Sequence, residues 1–471
     1  MNNAKKTKIV CTIGPATESV EMLKALTDAG MNVMRLNFSH GDFAEHQNRV
    51  DNLKIVVEKT DKNIAIMQDL AGPKIRIGEF EKGSIILKEG QIFILTTEKI
   101  MGNEEKVSVN YPLLPKEVKV GGYVLLHDGK KKLQITDIKG NNVITKVLVG
   151  GEIKNKRGVN LPGAYLSISS ITEKDKIDLE FGLKNKVDFI ALSFVRKPKD
   201  IIELRGILEK AKSKAGIIAK IETPEAIENI DEIIRLSDGI MVARGDLAIE
   251  IPAEEVPIVQ KMLIQKCNAV GKPVITATQM LESMIKSPVP TRAEVSDIAN
   301  AIIDGTDAIM LSEETTLGDF PVEAVSMMTR VALRVEREVY TNDVIKEYHD
   351  LHGITDITSQ LAVQAAHNIA ARFIVALTES GRTASMIARY KPAERIIVLT
   401  SNTNTAKKLA LTFGCHVILV PKFGSMTQIM SVVRKTAIKH KIAIKGDKVV
   451  IVSGMPFGKM TETNMMLIET I

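Results

Sequence analysis

The sequence predicts an α/β protein in which a (β/α)8 barrel carries an inserted small β-barrel lid domain and is followed by a doubly wound α/β domain. Between residues 8 and 311, eight short apolar segments alternate with helix-length amphipathic segments, and eight βα units form a TIM-type barrel. Residues 71–166 interrupt this series with Gly-punctuated β segments that lack helical periodicity. After residue 340 the alternating units become shorter, as in a doubly wound sheet.

Parallel βα units open the chain. The predicted elements are, in order, strand 8–12, helix 18–29, strand 33–37, helix 43–59 and strand 64–67. Gly30 follows the first helix at the position where a C-cap glycine is common. Strands and helices that alternate at this spacing form a parallel sheet.

The insertion begins after the third strand. Its predicted β segments are residues 84–87, 91–95, 123–126 and 142–149. The run Lys130, Lys131 and Lys132 is interpreted as a solvated turn, and residues 158–163 as a hinge at the exit. Because the insertion leaves the barrel directly after the polar end of a strand, it is placed to act as a lid.

The remaining elements continue the barrel units and then the shorter α/β units. Five further barrel strands are predicted at residues 187–192, 217–221, 239–242, 273–277 and 307–311. In the last part we predict helices at 358–371, 383–390, 405–411 and 425–440 and strands at 373–377, 396–399, 417–420 and 448–452. The expected domains are residues 1–70 with 167–340, 71–166, and 341–471, the last an effector domain.

The composition argues against several classes of protein. The chain has 471 residues, a net charge of +6, 4% aromatic residues and no Trp. Its basic residues are dispersed, so neither a stacking platform nor a basic stripe for nucleic acid is expected, and small anionic substrates account for the charge. No apolar run approaches the ~20 residues that span a bilayer, and no signal-peptide core precedes the first strand. We therefore expect a cytoplasmic protein without nucleic-acid or membrane partners.

Polar and charged residues follow the predicted barrel strands. Because parallel strands of a barrel end at the same rim, these side chains are expected to converge there. They are Arg35, Asn37, Asp69, Ser193, Arg196, Lys220, Glu222, Arg244, Asp246, Thr278, Ser312 and Glu313.

Glu222 and Asp246 are the candidate metal ligands. Mg²⁺, or Mn²⁺ in its place, prefers one or two protein carboxylates, with water and substrate phosphate completing its coordination. The alternative is a salt-bridged pair around Lys220. Lys220 itself could be a Schiff-base nucleophile, a general acid or a fixed charge. Since neighbouring carboxylates keep a lysine protonated, stabilisation of negative charge is the favoured role.

Three further segments suit anions. Gly245 lies where a strand leads into a short helix, so backbone N–H groups there can bind a carboxylate or phosphate. Arg35 suits bidentate phosphate binding, while His40 is either structural or a ligand contact. Ser380, Gly381, Arg382 and Thr383, with Thr378 beside them, form either a phosphate cradle or an ordinary N-cap.

Ten ordered segments resemble the pyruvate kinase family, and the resemblance covers essentially the whole chain. These segments are KIVCTIGPAT (8–17), MRLNFSHG (34–41), DLAGPKIR (69–76), GVNLPG (158–163), AKIE (219–222), DGIMVARGDL (238–247), KPVITATQMLESM (272–284), PTRAE (290–294), MLSEET (310–315) and PVEAV (321–325).

The resemblance implies transfer of the phosphoryl group of phosphoenolpyruvate to ADP, which gives ATP and pyruvate, by a subunit that usually forms a homotetramer. It implies that Glu222 and Asp246 hold Mg²⁺, and that Lys220 and Arg35 contact the transferring phosphoryl group. The amides of Gly245 and Asp246, with Thr278, would hold the substrate carboxylate, and Thr278 or a water would protonate the enolate. Residues implied to face the nucleotide are Asn37, Phe38, Ser39, His40, Arg76 and Arg157.

Two departures from the family pattern give further expectations. The monovalent cation of the family would lie near Asn37, Ser39, Asp69 and Leu70, but this chain has Lys74, whose ammonium can replace K⁺. We therefore expect activity that does not require K⁺. The effector loop of Thr378, Ser380, Gly381, Arg382 and Thr383 contains the acid Glu379, which would repel a bisphosphate. The expected effector is a sugar or nucleotide monophosphate, or none.

Two other functions fit parts of the pattern. A metal-dependent barrel lyase or aldolase that acts on pyruvate enolate would also use Glu222 and Asp246 with an arginine, but it would not need a lid that faces a nucleotide. A catalytically silent sensor of phosphorylated metabolites would use the last domain alone. The presence of Lys220 and Thr278 beside these acids argues against a silent sensor.

Overall fold

The computed structural model describes residues 5–60, 62–339, 353–422, 425–440, 442–456 and 461–471. The predicted boundary between residues 340 and 341 lies outside these ranges. Within them, no helix combines the length and apolar character needed to cross a membrane.

The first βα units have the predicted order. They are β1 (Lys8–Thr12), α1 (Val20–Ala29), β2 (Val33–Asn37), α2 (Phe43–Thr60) and β3 (Ala65–Asp69). The Ser19 side chain accepts a hydrogen bond from the amide of Met22 and so caps α1, and Gly30 ends this helix with a φ of 129°. The two residues fix the ends of the helix within the predicted range.

The inserted β domain contains two sheets around one apolar core. Its elements are β4 (Ser84–Leu87), β5 (Ile92–Thr96), β6 (Lys106–Ser108), α3 (Leu114–Glu117), β7 (Tyr123–Leu126), β8 (Lys131–Lys139), β9 (Asn142–Val149), β10 (Gly151–Lys154) and β11 (Val159–Asn160). The larger sheet has the order β11-β7-β8-β9-β5-β6, and β10 pairs with β4.

The prediction of a turn through the lysine run was wrong for two of its three residues. Lys130 lies in the turn before β8, whereas Lys131 and Lys132 are its first residues. Leu133 and Ile135 alternate with polar residues and are buried, which is the period-2 pattern of a strand. The Lys132 ammonium lies 4.2 Å from the centre of the Tyr123 ring on the neighbouring strand, so it has a partner within the sheet.

The barrel resumes after the insertion. Its further elements are α4 (Glu173–Asn185), β12 (Phe189–Leu192), α5 (Pro198–Lys210), β13 (Gly216–Ile221), α6 (Pro224–Glu228), α7 (Ile230–Leu236), β14 (Gly239–Ala243), α8 (Arg244–Glu250), α9 (Val256–Val270), β15 (Val274–Ala277), α10 (Arg292–Asp304), β16 (Ala308–Leu311), α11 (Glu313–Thr316) and α12 (Pro321–Val339). Short 3₁₀ turns lie at Ala253–Glu255 and Glu282–Ile285. Thr172 and Asp175 form a capping box that starts α4.

Eight parallel strands close into a barrel in the order β1-β16-β15-β14-β13-β12-β3-β2. Every residue of β1, β12, β13 and β14 is buried, as expected for strands that are covered by helices outside and by side chains inside. The predicted (β/α)8 barrel is therefore confirmed, and the polar residues that follow its strands share one rim.

The last part of the chain is a doubly wound α/β unit, as predicted. It contains α13 (Ile354–Asn368), β17 (Phe373–Leu377), α14 (Arg382–Ala388), β18 (Arg395–Thr400), α15 (Thr403–Lys408), a 3₁₀ turn (Leu409–Leu411), β19 (Cys415–Leu419), α16 (Met426–Lys439), β20 (Lys448–Gly454) and β21 (Thr463–Thr470). The sheet order is β19-β18-β17-β20-β21. The sequence did not predict β21, which pairs antiparallel to β20 at the edge of the sheet.

The last unit docks on the barrel end opposite the polar rim, which we call the floor. Leu411 is fully buried and shares an apolar cluster with the strand residues Val10 and Ile218. The Lys391 ammonium lies 2.9 Å from a carboxylate oxygen of Asp307, the residue before β16. The two units are therefore joined by an apolar contact and a buried ion pair.

Candidate active site

Lys220 stands at the centre of a buried cluster on the rim. Its ammonium lies 3.2 Å from Asp69 Oδ1, 2.7 Å from Ser193 Oγ and 3.0 Å from Glu222 Oε1. Burial alone would lower the pKa of Lys220, but the charges of Asp69 and Glu222 outweigh burial and hold the pKa above its ordinary value. The side chain is therefore a permanent positive charge and is not suited to act as a nucleophile or base.

Glu222 is fully buried, and each of its oxygens has one close neighbour. Its Oε2 accepts a hydrogen bond of 2.6 Å from the amide of Phe194. Its Oε1 lies 3.0 Å from the Lys220 ammonium. Burial and the charge of Asp246 raise the pKa of Glu222. A cation placed between the two acids would relieve this repulsion, so both residues fit a divalent metal.

Arg35 is fixed by two neighbours below the rim. Its Nε lies 2.6 Å from Asp69 Oδ2, and its Nη1 donates a 2.8 Å hydrogen bond to Thr12 Oγ1. Burial would raise the pKa of Asp69, but Arg35 and Lys220 outweigh it and lower the pKa. Asp69 therefore stays charged and holds both cations in place, which preorganises positive charge at the rim.

Thr278 and Gly245 lie side by side at the start of α8. The Gly245 amide donates a 2.8 Å hydrogen bond to Thr278 Oγ1, which in turn donates one of 2.6 Å to the Ala277 carbonyl. Thr278 has a φ of 70°, a strained value for a β-branched residue that is often found at functional sites.

Arg244 supports this strained turn from behind. It donates to the carbonyl oxygens of Ala277 (3.2 Å) and Thr278 (2.7 Å), and it forms a 2.7 Å ion pair with Asp297. Its guanidinium is therefore used to hold the backbone beside α8, whereas the sequence pattern placed Arg244 among the groups converging on the rim.

A cleft of about 510 Å³ separates the rim from the inserted β domain. Asp246 lines it from the barrel, and Arg76 and Arg157 line it from the insertion. The two arginines lie on neighbouring segments, because Arg76 bridges to Gly158. Arg157 Nε is buried and has no hydrogen-bond partner among the residues that the structure describes. Such a donor is suited to a ligand that carries phosphate oxygens.

Lys74 enters the region expected for a monovalent cation. Its ammonium donates a 3.3 Å hydrogen bond to Ser39 Oγ, and Asn37 Oδ1 accepts one of 3.1 Å from the Ser39 amide. The Leu70 carbonyl accepts a 2.6 Å hydrogen bond from Ser193. Burial lowers the pKa of Lys74, and the charge of Asp246 opposes this effect. The structure thus brings Lys74 to Ser39.

His40 and Phe38 have different surroundings. His40 lines the cleft, and burial together with the nearby charges of Lys74 and Arg76 lowers its pKa, so the ring is neutral near pH 7. The Phe38 ring is buried and stacks on His46 at 4.2 Å. Of the predicted nucleotide contacts, His40, Arg76 and Arg157 therefore line the cleft, whereas Asn37, Phe38 and Ser39 do not.

The candidate effector loop is held by its own side chains. Thr378 Oγ1 accepts a 2.9 Å hydrogen bond from the Gly381 amide, and Gly381 has a φ of 89°. Ser380 Oγ accepts one of 3.4 Å from the Arg382 amide at the start of α14. The buried Thr383 hydroxyl makes a 2.8 Å hydrogen bond to that of Thr463.

The Glu379 carboxylate is held by the loop that follows β18. Both carboxylate oxygens accept hydrogen bonds from Ser401 Oγ, at 3.0 Å and 2.9 Å. The acid therefore has a fixed position beside the effector loop.

Three residues near the site were not singled out by the sequence. Thr12 binds Arg35, and its position at the end of β1 was a usable signal. Glu250 lies one helical turn after Asp246, also a usable signal. Asn160 lies within the predicted hinge, where nothing in the sequence distinguishes it from its neighbours.

Comparison with known proteins identifies the family. Residues 4–325 match a family model described as the pyruvate kinase barrel domain, and residues 356–469 match the pyruvate kinase alpha/beta domain. Pyruvate kinases of Geobacillus stearothermophilus and of Staphylococcus aureus strain MRSA252 are 47% and 46% identical over 99% of this chain and 80% of theirs. A solved pyruvate kinase from Cryptosporidium parvum has a TM-score of 0.94 at 39% identity and covers 99% of this chain and 96% of its own. This chain belongs to the pyruvate kinase family.

Proposed function

We propose that the rim residues perform the reaction of this pyruvate kinase, transfer of the phosphoryl group of phosphoenolpyruvate to ADP, in the roles described below. The single observation that carries the proposal is the buried contact of Lys220 with Asp69 and Glu222, next to the cleft that Asp246 lines. Phosphoryl transfer through a loose transition state requires positioning and positive charge more than a base. Lys220 and Arg35 supply that charge in fixed positions.

The substrate carboxylate has its own group of donors. We assign its binding to the amides of Gly245 and Asp246 and to Thr278. The hydrogen bonds that the Gly245 amide and the Thr278 hydroxyl donate to protein oxygens would be exchanged for bonds to the carboxylate. After transfer, the enolate of pyruvate needs a proton at carbon. Thr278, or a water bound to it, is the donor that we assign to this step, because its hydroxyl lies beside the Gly245 amide that is assigned to the substrate carboxylate.

Pyruvate kinases use a divalent metal, and the rim fits one. The described residues hold no cluster of three or more His, Cys, Asp or Glu that could bind a metal, so a closed protein cage is not offered there. Glu222 and Asp246 suit Mg²⁺, or Mn²⁺, because these ions accept few protein carboxylates and take other ligands from water and substrate. When bound, the ion would neutralise charge on the phosphate oxygens.

The nucleotide is assigned to the side of the cleft under the inserted β domain. Arg76 and Arg157 would contact its phosphates, and Asn37, Ser39 and His40 would approach it from the barrel. The Phe38 ring would support this segment from the core through its stacking on His46. The unpaired Nε of Arg157 is the observation that favours phosphate there.

Lys74 is assigned the place of the monovalent cation. Its ammonium lies 3.3 Å from Ser39 Oγ, one of the groups expected to surround K⁺ together with Asn37, Asp69 and the Leu70 carbonyl. An ammonium there provides the same positive charge as the ion. K⁺ should therefore not be required.

Steady-state kinetics tests both assignments. ADP-dependent formation of pyruvate from phosphoenolpyruvate is measured with Mg²⁺ in buffer free of K⁺, and then with K⁺ added. Full activity in both buffers is expected. Activity only with K⁺ would overturn the role of Lys74, and pyruvate formation that does not depend on ADP would favour a lyase or aldolase. An absence of turnover in both buffers would favour a silent sensor.

The effector loop is assigned a phosphorylated ligand with one phosphate. The donors of this loop surround Gly381, while Glu379, held by Ser401, places negative charge beside it. A second phosphate would meet repulsion from this acid. Micromolar activation by fructose 1,6-bisphosphate at sub-saturating phosphoenolpyruvate would contradict the assignment. The expected result is activation by a sugar or nucleotide monophosphate, or no activation.

We further infer the organisation of the whole molecule. The proposed domains are a barrel of residues 1–70 and 167–340, a lid of 71–166 and an effector domain of 341–471. A cytoplasmic homotetramer is the proposed assembly. Sedimentation of the purified chain at several concentrations tests the assembly, and a stable monomer would contradict it.

A further inference from the structure

The inserted β domain contacts the barrel at the last turn of α8. The Asn160 side-chain amide donates a 2.9 Å hydrogen bond to Glu250 Oε1. Asn160 belongs to β11, which pairs with β7 through Val159 and Leu126, so it moves with the larger sheet of the insertion. Glu250 is the last residue of α8 and belongs to the barrel. This hydrogen bond therefore joins two bodies that a closing cleft must bring together.

A second, independent contact reaches the same turn of α8. Gly129, in the turn between β7 and β8, lies so close to the barrel that a β-carbon there would be 3.7 Å from Ile249 Cγ2. Ile249 precedes Glu250 in the helix. Two separate segments of the insertion thus meet adjacent residues of the barrel, as expected of a seat on which this domain rests.

The hydrogen bond lies between the two halves of the proposed site. On the insertion, Arg157 precedes Asn160 by three residues, and the Arg157 carbonyl accepts a 3.0 Å hydrogen bond from the Ile77 amide. On the barrel, Asp246 lies one helical turn before Glu250. Movement at Asn160 therefore moves the Arg76–Arg157 pair relative to Asp246, which lines the opposite wall of the cleft.

The chemistry of the pair suits a contact that must form and break. Asn160 carries no charge, so it binds Glu250 without competing with Lys220 for the neighbouring acids. The other hydrogen bond from this exit segment, between the Tyr165 hydroxyl and Glu228 at 3.1 Å, lies in exposed positions, where water competes with it. The contact between Asn160 and Glu250 is the more shielded of the two.

We propose that Asn160 and Glu250 are positioning residues that latch the inserted domain onto the barrel and so hold Arg157 over the nucleotide. This inference rests on the proposed function, because it assigns the nucleotide to the side of the cleft that the latch closes. Neither residue touches the reacting phosphoryl group in this scheme. Loss of the latch should therefore weaken productive ADP binding more than it affects phosphoenolpyruvate.

Kinetics of latch variants give the first test. Asn160→Ala and Glu250→Ala should each lower kcat/KM for ADP by about ten-fold, the value expected for loss of one shielded hydrogen bond to a charged group. KM for phosphoenolpyruvate should stay close to that of the wild type. Glu250→Gln keeps an acceptor oxygen, so its loss should be smaller than that of Glu250→Ala. If the charge of Glu250 acted by itself, Glu250→Gln would lower kcat/KM for ADP as much as Glu250→Ala does. That result would overturn the latch.

A swapped pair distinguishes a latch from general damage. In Asn160→Asp with Glu250→Gln the donor and acceptor change sides, so the double variant should recover much of the activity that Asn160→Asp loses alone. Asn103→Ala is a matched control. The Asn103 side chain accepts hydrogen bonds from the amides of Glu105 and Lys106, so both of its partners lie within the insertion. It should destabilise the insertion without changing KM for ADP, and an equal rise of KM in this control would overturn the proposal.

Hydrogen exchange supplies a readout without turnover. The Val159 amide donates a 2.9 Å hydrogen bond to the Ile75 carbonyl at the hinge. Its exchange should be faster in Asn160→Ala than in the wild type and should return toward the wild-type rate in the swapped pair. Unchanged exchange in Asn160→Ala would refute the latch. If the wild type instead fails to form pyruvate with ADP while exchange responds as expected, the proposed function fails and the latch remains.

Discussion

The two ends of the barrel use the same kind of ion pair for different purposes. At the rim, Lys220 lies 3.2 Å from Asp69, and at the floor, Lys391 lies 2.9 Å from Asp307. All four side chains are largely buried. A buried lysine beside an aspartate therefore does not by itself identify an active site, and what surrounds the pair must decide.

The surroundings differ in whether they are packed against protein or lie beside an open cleft. At the floor, Asp307 also accepts hydrogen bonds from the amides of Phe413 (3.0 Å) and Val274 (3.2 Å), and the Phe413 ring lies 5.0 Å below the Lys391 ammonium. At the rim, the neighbouring acid Asp246 lines an open cleft of about 510 Å³. Closed polar groups stabilise a domain contact, whereas polar groups left open are available to a ligand.

The largest effect should come from Lys220→Met. Because this variant removes the charge that we assign to the transferring group, kcat should fall about 10³-fold, as for loss of one preorganised electrostatic contact. Steady-state pyruvate formation measures this fall, and circular dichroism shows whether the variant is folded. A folded variant with wild-type kcat would place the chemistry elsewhere.

The floor should respond to the matched change Lys391→Met in stability instead. The variant leaves Asp307 buried without its cation, which should reduce the free energy of unfolding by about 3 kcal/mol. Below the unfolding transition, kcat should stay near that of the wild type. Urea unfolding and steady-state kinetics on the same sample test this prediction. A large loss of kcat without a shift of the urea midpoint would show that the floor pair, like the rim pair, serves catalysis.

Asp188, also at the floor, should make stability depend on pH. Burial raises the pKa of Asp188 to about 6, although its Oδ2 accepts a 2.8 Å hydrogen bond from the Ile66 amide. Since the folded-state pKa exceeds the unfolded one, this group stabilises the fold fully below pH of about 4, and the contribution is lost as the pH rises through 6.

Asp188→Asn should remove that dependence. Between pH 4 and 7 the unfolding free energy of the wild type should fall by about 2 kcal/mol relative to the variant. Urea midpoints at several pH values measure the difference, with Asp137→Asn, an exposed position, as the control. Parallel curves for wild type and Asp188→Asn would show that Asp188 is not the group responsible.

The smallest effect should come from Lys74→Glu at the rim. Exchanging the ammonium for an acid should create a need for K⁺, so that K⁺ stimulates the variant about ten-fold and leaves the wild type unaffected. The activity is measured as KCl is titrated at constant ionic strength, with NaCl as the control salt. If K⁺ does not stimulate the variant, Lys74 does not take the place of the monovalent cation.

The barrel was predictable because each of its strands can be recognised from its own short segment of sequence. Each strand is a short apolar run that ends in polar residues, and the count of eight leaves one architecture. Two errors had physical reasons. The lysines at the start of β8 look like a turn in isolation, yet they pair across to β7. The edge strand β21 faces solvent on one side, so its burial alternates and the apolar run expected of a central strand is missing.

The candidate site was predictable only where chemistry lies at strand ends or in a family motif. Lys220, Glu222 and Asp69 meet as the rim argument expects. The bond between Asn160 and Glu250 was not accessible, because the two residues are 90 positions apart and nothing in the sequence indicates that they pair. The supporting role of Arg244 was likewise hidden, since an arginine after a strand can turn toward a ligand or toward the backbone.

The closure of the barrel ties its formation to the far end of the chain. β1 pairs with β16, so Lys8 cannot pair with Ala308 until the chain has been synthesised through residue 308. The floor is covered only after Leu411 has been synthesised. During synthesis, β1 therefore leaves the ribosome with an unpaired apolar edge that lasts until most of the chain has followed. Fragments that end before residue 308 would keep that edge exposed and would be drawn into aggregates.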